Sequence, residues 1–481
     1  MKIAPLFGAG TAGKSFAVTR QRRLNVYFED RKDGDKTKVA VYGTPGLVLN
    51  FSPTTPLGLP LRGLQGTQSA LYLLAYNQFQ SVNSSGTALA TGTLASVSGT
   101  VSIAYSPSQV VTVDGVSAYL YVPATLTFST IAGFTATGAR TITFIAGFFV
   151  AEQPGTQQFW VSNFQDGSTW NALAFASAVS DSDNMLAVDN LSGNLVLFMQ
   201  QGMEFWQNVG ASPQPFAPVL SAANPWGLAA IFSRAHIIAA NDQDSIIFLG
   251  QNSGGQVQCV QVTGFSPKVI SDPDLEAIWN SFAVTSDATG YDYQVDNHRF
   301  YQLNFPTGNR SFLYDVSTGI WSEVQTGPSV IPVRHTGNLA TYFAGQTLIA
   351  DYATNNVYRL DPTTYTDNGV TIIRQLVTRH VLSNFNRIRV SLLYLDMETG
   401  VGLQTGQGSN PQIMLEYSKD NGRTWSAQRW VSSGLVGQYL TRVLWRRFGS
   451  TRDATWRITM SDPVKFVITE GAFRVRERGG Q

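Results

Sequence analysis

Apolar and polar residues alternate along most of this chain, in short runs that end at Gly, Asn, Asp or Pro. Ala118–Val122 and Arg299–Phe305 are typical runs. A period of two places successive side chains on opposite faces of a β-strand, and the turn residues let each strand fold back on the one before it. The pattern therefore predicts a mainly β protein.

Asp272–Phe282 is the best candidate for a helix. Asp272 can cap the first turn, and Pro273 occupies the first helical position, where proline is favoured. Apolar residues follow at helical spacing, at Leu275, Ile278, Trp279 and Phe282. We expect one or two short helices in the whole chain.

The candidate strands form groups of three or four, which recur roughly every 40–60 residues. The groups centre on residues 69–80, 97–122, 140–165, 185–208, 228–262, 283–325 and 338–360. Such a series predicts a β-propeller whose blades carry unequal insertions. No repeat motif fixes the number of blades.

The sequence pattern changes near residue 365, where the candidate strands become longer and arginine becomes more frequent. We interpret residues 365–481 as a basic, β-sandwich-like carboxy-terminal domain. Residues 41–364 would form the propeller-like body, and residues 1–40 an extended amino-terminal arm with the first strand.

Charge is scarce and unevenly distributed. Only 14% of the residues are charged, against about 25% in typical soluble proteins. Residues 1–40 carry nine Lys/Arg and four Asp/Glu, residues 41–414 carry 12 and 22, and residues 415–481 carry 12 and six. A surface so poor in charge favours an assembly subunit, whose basic ends can dock on acidic surfaces or on phosphate.

The single cysteine, Cys259, excludes an internal disulfide framework, and we expect it to be a small buried hydrophobe. No apolar run reaches the roughly 18 residues that a membrane-spanning helix needs. The amino-terminal stretch is too short for a signal peptide and meets Pro5. We therefore expect that the chain does not insert into a membrane and that it is synthesised in a reducing cytoplasm.

Gly8–Ser15 matches the phosphate-binding pattern of a glycine-rich loop followed by Lys-Ser. That pattern functions between a buried strand and a helix, whereas only seven residues, including Pro5, precede it here. No alternation of strands and helices supports a nucleotide site. We interpret the glycines as part of a flexible arm.

Ser418, Asp420, Gly422 and Trp425 have the spacing of an Asp-box. The aspartate can accept bonds from turn amides, the glycine permits a positive φ, and the tryptophan can lie beneath the hairpin. Sialidases carry several copies, but so do many non-enzymatic β proteins, and this chain has one convincing copy. We interpret the motif as a structural turn.

The other acidic residues and the histidines form no catalytic or metal-binding pattern. The pairs Asp181/Asp183 and Asp242/Asp244 lie in polar turns and are expected to be solvated. Glu204 is expected on a strand surface. The histidines lack the spacing of a zinc site, at His236, His298, His335 and His380. The sequence therefore predicts no catalytic residue, no metal and no cofactor.

Arginines interleaved with aromatic residues near the carboxy terminus are the strongest charge feature. The candidate assembly contacts are Arg442, Arg446, Arg447, Arg452, Arg474 and Arg476. Guanidinium groups can hold carboxylates or phosphates. Docking on an acidic protein surface, solvated strand faces and contact with a DNA backbone all remain open.

Several segments along the chain combine aromatic residues, glycine turns and proline in characteristic short motifs. Residues 155–216 combine aromatic strand ends with glycine turns and end in a Gly-Ala-x-x-x-Pro-Phe loop at Gly210–Phe216. Shorter segments flank this stretch, at Arg22–Glu29, Tyr42–Leu47, Arg62–Leu64, Val111–Gly115, Arg442–Gly449 and Pro463–Ile468. In this order they resemble the tail nozzle proteins of short-tailed bacteriophages (podoviruses), a family often labelled packaged-DNA stabilisation or tail accessory proteins.

The resemblance implies a structural virion protein of the tail that is not an enzyme. Six copies would form a ring below the head-to-tail adaptor, after assembly in the host cytoplasm. The lumen would retain packaged double-stranded DNA and conduct it, without sequence specificity, during ejection. A tail spike or fibre and a tail plug or needle are further implied partners, and the basic carboxy-terminal unit would contact the adaptor or a neighbouring subunit.

The alternative function is a glycan-binding or glycan-cleaving β-propeller that acts as a tail adhesin. It predicts a cleft with clustered carboxylates and exposed aromatic side chains. A non-viral propeller scaffold is a third possibility.

Overall fold

The structure is a computed structural model. It describes residues 15, 17–31, 37, 39–54, 58–180, 183–382 and 386–477, with the backbone alone for residues 476 and 477. The glycine-rich match at residues 8–15 therefore lies outside the described residues, apart from Ser15.

The body is a β-propeller in which the described residues form seven blades around one axis. Each of the first six blades is an antiparallel sheet made from consecutive strands. Blade 1 contains β5 (Leu61–Gly66), β6 (Leu71–Ala75), β7 (Gln78–Val82) and β8 (Ala88–Thr93); blade 2 contains β9 (Ser102–Tyr105), β10 (Val110–Val113), β11 (Ala118–Val122) and β12 (Thr127–Thr130); blade 3 contains β13 (Ile142–Ile145), β14 (Phe148–Glu152), β15 (Gln158–Asn163) and β16 (Asp166–Ser177).

The next three blades continue in chain order. Blade 4 contains β17 (Met185–Leu191), β18 (Asn194–Met199), β19 (Met203–Asn208) and β20 (Phe216–Pro218); blade 5 contains β21 (Gly227–Leu228), β22 (Ala235–Ile238), β23 (Asp244–Gln251), β24 (Val257–Thr263) and β25 (Ser266–Val269); blade 6 contains β26 (Thr289–Val295), β27 (His298–Phe305), β28 (Arg310–Asp315) and β29 (Ile320–Val324). The innermost strands surround an axial cavity of about 1220 Å³.

Blade 7 is completed by a strand from the other end of the body. It contains β30 (Gly337–Phe343), β31 (Gln346–Asp351) and β32 (Val357–Asp361). Its fourth strand is β4 (Gly46–Phe51), which precedes blade 1 in the chain and pairs antiparallel with β32. The short strands β33 (Thr366–Asp367) and β34 (Val370–Thr371) extend the same sheet. The ring is therefore closed by hydrogen bonds between residues about 300 positions apart, such as Leu47 and Leu360.

The remaining strands form a β-sandwich. One sheet has the order β1 (Arg22–Leu24), β35 (Arg374–Val377), β41 (Asp453–Met460), β38 (Gln412–Ser418) and β39 (Arg429–Ser432), with β36 (Val381–Leu382) also paired to β41. The other has the order β2 (Val26–Asp30), β3 (Val39–Gly43), β42 (Val467–Glu477), β37 (Ile388–Met397) and β40 (Val443–Thr451). Trp456 and Phe473 meet in the core between the sheets, with ring centroids 4.3 Å apart. The fold class predicted from the sequence, a propeller followed by a sandwich, is confirmed.

The amino-terminal strands are part of the sandwich. Strands β1 and β2 lie within residues 1–40, which the sequence assigned to an arm and a first strand, and β3 crosses the expected boundary into the body. Each of the three pairs with a carboxy-terminal strand or with its neighbour in the same sheet. Strand β1 also pairs in parallel with β29 of blade 6. Sequence periodicity cannot show this arrangement, because it depends on pairing between opposite ends of the chain.

A buried asparagine secures the junction between the two domains. Asn25 has a positive φ of 52°, and its side-chain amide donates to the carbonyls of Gln325 (3.0 Å) and Ile373 (2.9 Å). Its side-chain oxygen accepts from the backbone N–H of Gln325 at 2.9 Å. One polar side chain thus joins the amino-terminal strands, the end of blade 6 and the entry to the sandwich.

The predicted helix is confirmed, as α1 (Pro273–Trp279) between blades 5 and 6. The side chain of Asp272 accepts hydrogen bonds from the backbone N–H groups of Asp274 and Leu275, which would otherwise lack partners at a helix start. Trp279 is fully buried. The helix ends there, so Phe282 lies in the turn that follows.

Closure by β4 should control the stability of the propeller. Leu47 is 1% exposed and contacts Ile349 and Tyr358, whereas Leu49 on the same strand is 44% exposed. We expect Leu47→Ala to lower the free energy of unfolding by about 2–5 kcal/mol, as large-to-small changes in cores do. Leu49→Ala should change it by less than about 0.5 kcal/mol. Urea denaturation followed by tryptophan fluorescence measures both, and equal effects would contradict this role for β4.

Candidate functional site

Three of the predicted arginines meet on the outer face of the sandwich. Arg442, Arg446 and Arg474 line a groove of about 650 Å³. Arg446 on β40 and Arg474 on β42 each pair with Leu392 on β37, which lies between them. Arg446, Leu392 and Arg474 therefore form a row across the sheet. Tyr394 and Leu444 also line the groove, which therefore combines positive charge with apolar surface.

The arginines of this groove have no counter-charge within the part of the chain that the structure describes. Among the described residues, none of their guanidinium groups forms a hydrogen bond or an ion pair with another side chain, and all three side chains are exposed. By contrast, Arg457 in the same domain is paired with Glu416 at 2.7 Å. An unpaired, permanently charged guanidinium can bind a carboxylate or a phosphate in two-pronged fashion.

The other predicted arginines do not line this groove. Arg447 is exposed at a bulge of β40 and has a φ of 65°. Arg452 is exposed in the turn before β41. The backbone of Arg476 pairs with Arg389 on β37, but its side chain lies outside the described residues.

Sequence reasoning missed an apolar loop beside the groove. The loop joins β39 to β40, the edge strands of the two sheets, and its last exposed apolar residue lies two positions before Arg442. Leu440 is 96% exposed, and the other exposed apolar side chains of the loop are Leu435, Val436 and Tyr439. Four exposed apolar residues within six positions were the available signal.

Hydrogen bonds hold this loop in place. The N–H of Gly437 donates to the carbonyl of Gly400 at 3.0 Å, and the Thr399 hydroxyl donates to the carbonyl of Tyr439 at 2.8 Å. A Cβ at Gly400 would lie 2.8 Å from the Tyr439 ring, so the loop closely approaches the strand end beneath it. The apolar side chains are thus exposed on a fixed backbone.

The Asp-box residues form a compact turn after β38. The Asp420 carboxylate accepts hydrogen bonds from the Ser418 hydroxyl (2.6 Å) and from the N–H and hydroxyl of Thr424 (2.9 and 2.5 Å). These bonds hold the pKa of Asp420 well below its usual range. Gly422 has a φ of 80°, and the Trp425 ring lies 4.3 Å from the Arg457 guanidinium. Each side chain completes the turn or contacts its own domain.

A charged cluster lies in the axial cavity of the propeller. Asp189 on β17 accepts from the Arg234 guanidinium at 3.1 Å and contacts the imidazole of His236 at 2.8 Å. Burial disfavours the charged form of His236, but the neighbouring Asp189 outweighs it and raises the pKa of His236 to about 9. Burial alone raises the pKa of Asp292, on the facing strand β26, to about 6. The cluster joins adjacent blades through ion pairs.

The structure places Glu204 differently from the expectation drawn from the sequence. It was expected on a strand surface, but it is buried, and its carboxylate accepts from the backbone N–H groups of Val179 and Ser180 and from the indole of Trp206. A carboxylate that satisfies a neighbouring turn is stable inside the protein. Alternation placed Glu204 and Trp206 on one face, but both faces of this strand are covered.

The remaining polar candidates have structural partners. Asp242 forms an ion pair with Arg299 at 3.2 Å, Asp244 accepts from the N–H of Ser192, and Asp183 accepts from the N–H of Gln201. Asp181 lies outside the described residues. His298 and His380 are each hydrogen-bonded to an aspartate. Within the described part of the chain, no group of three or more His, Cys, Asp or Glu residues could hold a metal ion.

The family of this chain is decided by two matches that together span nearly all of it. Residues 52–365 match the description "Bacteriophage P22 Gp10, beta-propeller", and residues 373–476 match "Bacteriophage P22 Gp10, beta-sandwich". The chain belongs to the bacteriophage P22 Gp10 family. It is therefore a structural protein of the phage tail that stabilises packaged DNA, and its place is the virion.

Other comparisons add similarity of shape alone. No curated protein matches this chain in sequence. The amino-terminal domain of Nup159 is 8% identical over 71% of this chain and 98% of that chain, with a TM-score of 0.42. A chain of the Mitotic Checkpoint Complex is 12% identical over 69% and 95%, and the Neurospora crassa Pan2 WD40 domain 9% over 67% and 95%, both at a TM-score of 0.43.

Two sequence expectations concern burial and the membrane. Cys259 is a buried free thiol, as expected. No helix among the described residues is long and apolar enough to cross a lipid bilayer.

The ion pair in the axial cavity predicts an unusual histidine titration. We expect NMR to give a pKa of about 9 for His236, and Asp189→Asn to lower that pKa by more than one unit because the counter-charge is lost. The pKa of His236 is thus higher in the folded protein than its value of about 6.5 in the unfolded chain. The ion pair therefore stabilises the fold fully below about pH 6.5, and this stabilisation is lost as the pH rises through about 9.

An Asp244→Asn variant is the control, because Asp244 acts on His236 less strongly than Asp189 does. A His236 pKa near 6.5 in the unmodified protein would contradict the assigned ion pair.

Proposed function

We propose that this chain is the subunit of a hexameric tail nozzle that lies below the head-to-tail adaptor of a short-tailed phage. The nozzle retains the packaged genome and conducts it during ejection. The observation that carries this proposal is membership of the P22 Gp10 family in both domains. The low charge of the chain and the unpartnered arginines and apolar loop of the sandwich support a subunit that works in an assembly.

The DNA would pass between copies of the chain and not along the propeller axis. With inner strands of four to seven residues at about 3.3 Å per residue, the axial cavity averages about 11–14 Å across between the atoms that line it. The two grooves of a DNA duplex are about 8.5 and 7.5 Å deep, so the duplex is more than about 16 Å across and does not fit. A ring of subunits supplies the wider lumen through its symmetry.

The charge distribution suits such a lumen. Residues 41–364 carry 19 acidic and eight basic residues, so the propeller would repel the phosphate backbone weakly and would not grip it. DNA would then slide without sequence specificity. In this proposal the adaptor lies above the ring, a tail spike or fibre and a plug or needle complete the tail, and assembly takes place in the host cytoplasm.

The groove arginines should be needed for assembly. We expect a variant with Arg442, Arg446 and Arg474 replaced by glutamate to stay folded, because all three are exposed and have no side-chain partner among the described residues. It should not produce DNA-retaining heads. The measurement is electron microscopy of DNA-filled tailless heads mixed with the protein, with released DNA quantified by nuclease protection.

The matched control changes the same amount of charge elsewhere in the domain, by replacing the exposed Arg387, Lys419 and Arg423 with glutamate. Normal capping of heads by the groove variant would show that the groove is not an assembly contact. A wild-type protein that ignores heads and binds glycans would instead support the adhesin.

A further inference from the structure

The sandwich presents a surface with the composition of a protein-binding site. We call it the sandwich face, defined by the apolar loop residues Leu435, Val436, Tyr439 and Leu440 together with the groove arginines Arg442, Arg446 and Arg474. Tyrosine and arginine are enriched among the residues that dominate binding energy. Because the loop is already fixed by hydrogen bonds, little conformational entropy would be lost on binding.

A second unpartnered surface lies on blade 3, at the outer edge of the propeller. Strand β16 is the last strand of its sheet and has 12 residues without Lys or Pro. Exposed edges are normally protected by such residues, because an open edge can pair with other chains. Between Phe175 and Trp170 the register slips, and the bulge there holds Leu173 70% exposed. Phe164, just before the strand, is also exposed.

The two surfaces have complementary charge. Residues 81–222, which contain blades 2 to 4, carry seven carboxylates and a single cation, Arg140. That cation lies 3.6 Å from the buried carboxylate of Glu152. The half-buried Asp166 and Asp183 flank the blade 3 edge in sequence. Of these carboxylates, Asp114, Glu152 and Glu204 are buried and Asp189 lies in the axial cavity, so Asp166 and Asp183 are the acidic groups that the described residues leave beside this apolar edge. The sandwich face carries three arginines that have no side-chain partner among the described residues.

The positions of the two surfaces suit a head-to-tail contact. The sandwich joins the propeller at blades 6 and 7, through the pairing of β1 with β29 and the short connection from β3 to β4. Blade 3 lies on the opposite side of the seven-bladed ring. A contact between two different surfaces of identical chains is heterologous, and such contacts generate closed rings when the rotation between copies closes.

We propose that the sandwich face of one copy of this chain binds the outer edge of blade 3, around Leu173, in the neighbouring copy. The inference rests on the ring proposed above and names its subunit contact. Leu440 and Tyr439 cover the apolar edge of blade 3, and the groove arginines meet its carboxylates.

The test uses two single substitutions in the full-length protein, each at an exposed side chain. Leu440→Asp disables the sandwich face and Leu173→Asp disables the blade 3 edge. Each variant keeps one competent surface, so each alone should be monomeric, with association at least about 30-fold weaker than in the wild type. An equal mixture should form one-to-one dimers and stop there, because only one complementary pair of surfaces remains. Mass photometry resolves these species.

Ile331→Asp is the matched control, since Ile331 is similarly exposed but lies on neither surface; it should assemble like the wild type. Wild-type assembly by either test variant, or a mixture that stays monomeric while the wild type forms rings, would overturn this contact and leave the nozzle proposal intact. A wild-type chain that forms no oligomer, alone or on DNA-filled tailless heads, would overturn both.

Discussion

Closure of the propeller by β4 is the constraint on which the other features depend. A propeller of separately folded hairpins has an open seam between its first and last blades, and here that seam is closed because β4 pairs with β32 across about 300 residues. The same segment carries β1, β2 and β3 into the sandwich. A single stretch of about 30 residues therefore closes the ring and attaches the second domain. Pairing over such separations costs loop entropy before it gains contacts, so closure is expected late in folding.

The rigidity of the junction determines what the outer surfaces can do. Asn25 connects blade 6 to the strand that enters the sandwich by three buried hydrogen bonds. The buried strands around it leave little freedom for the two domains to move against each other. The sandwich face and the blade 3 edge are thereby held at opposite sides of one body. A fixed relation between two binding surfaces is what a subunit needs in order to close a symmetric ring of defined size.

The acidic residues that resemble catalytic candidates in the sequence serve the fold, whereas the groove arginines lie on the surface. Glu204, Asp420 and Asp189 each have two or more hydrogen-bond or ion-pair partners within the chain. The groove arginines have none among the described residues. Residues that resemble catalytic candidates in the sequence therefore complete turns or join blades, whereas the exposed arginines and the apolar loop remain available to partners. This division is the physical reason why we propose that the function of this chain lies on surfaces that contact other subunits.

The sequence by itself determined the mainly β character and the helix capped by Asp272, while the domain boundary near residue 365 and the assembly role of the carboxy-terminal arginines stay predictions. These features follow from local rules, because side-chain alternation, capping and charge act over a few residues. Tertiary structure decided the rest: seven blades, closure by β4, the inclusion of β1 to β3 in the sandwich, and the meeting of Arg446 with Arg474 across Leu392. It also buried Glu204 and exposed Leu440. Closure by β4, the composition of the sandwich and the row of Arg446, Leu392 and Arg474 depend on pairing between residues far apart in the chain, and local periodicity contains no information about which distant strand becomes the neighbour.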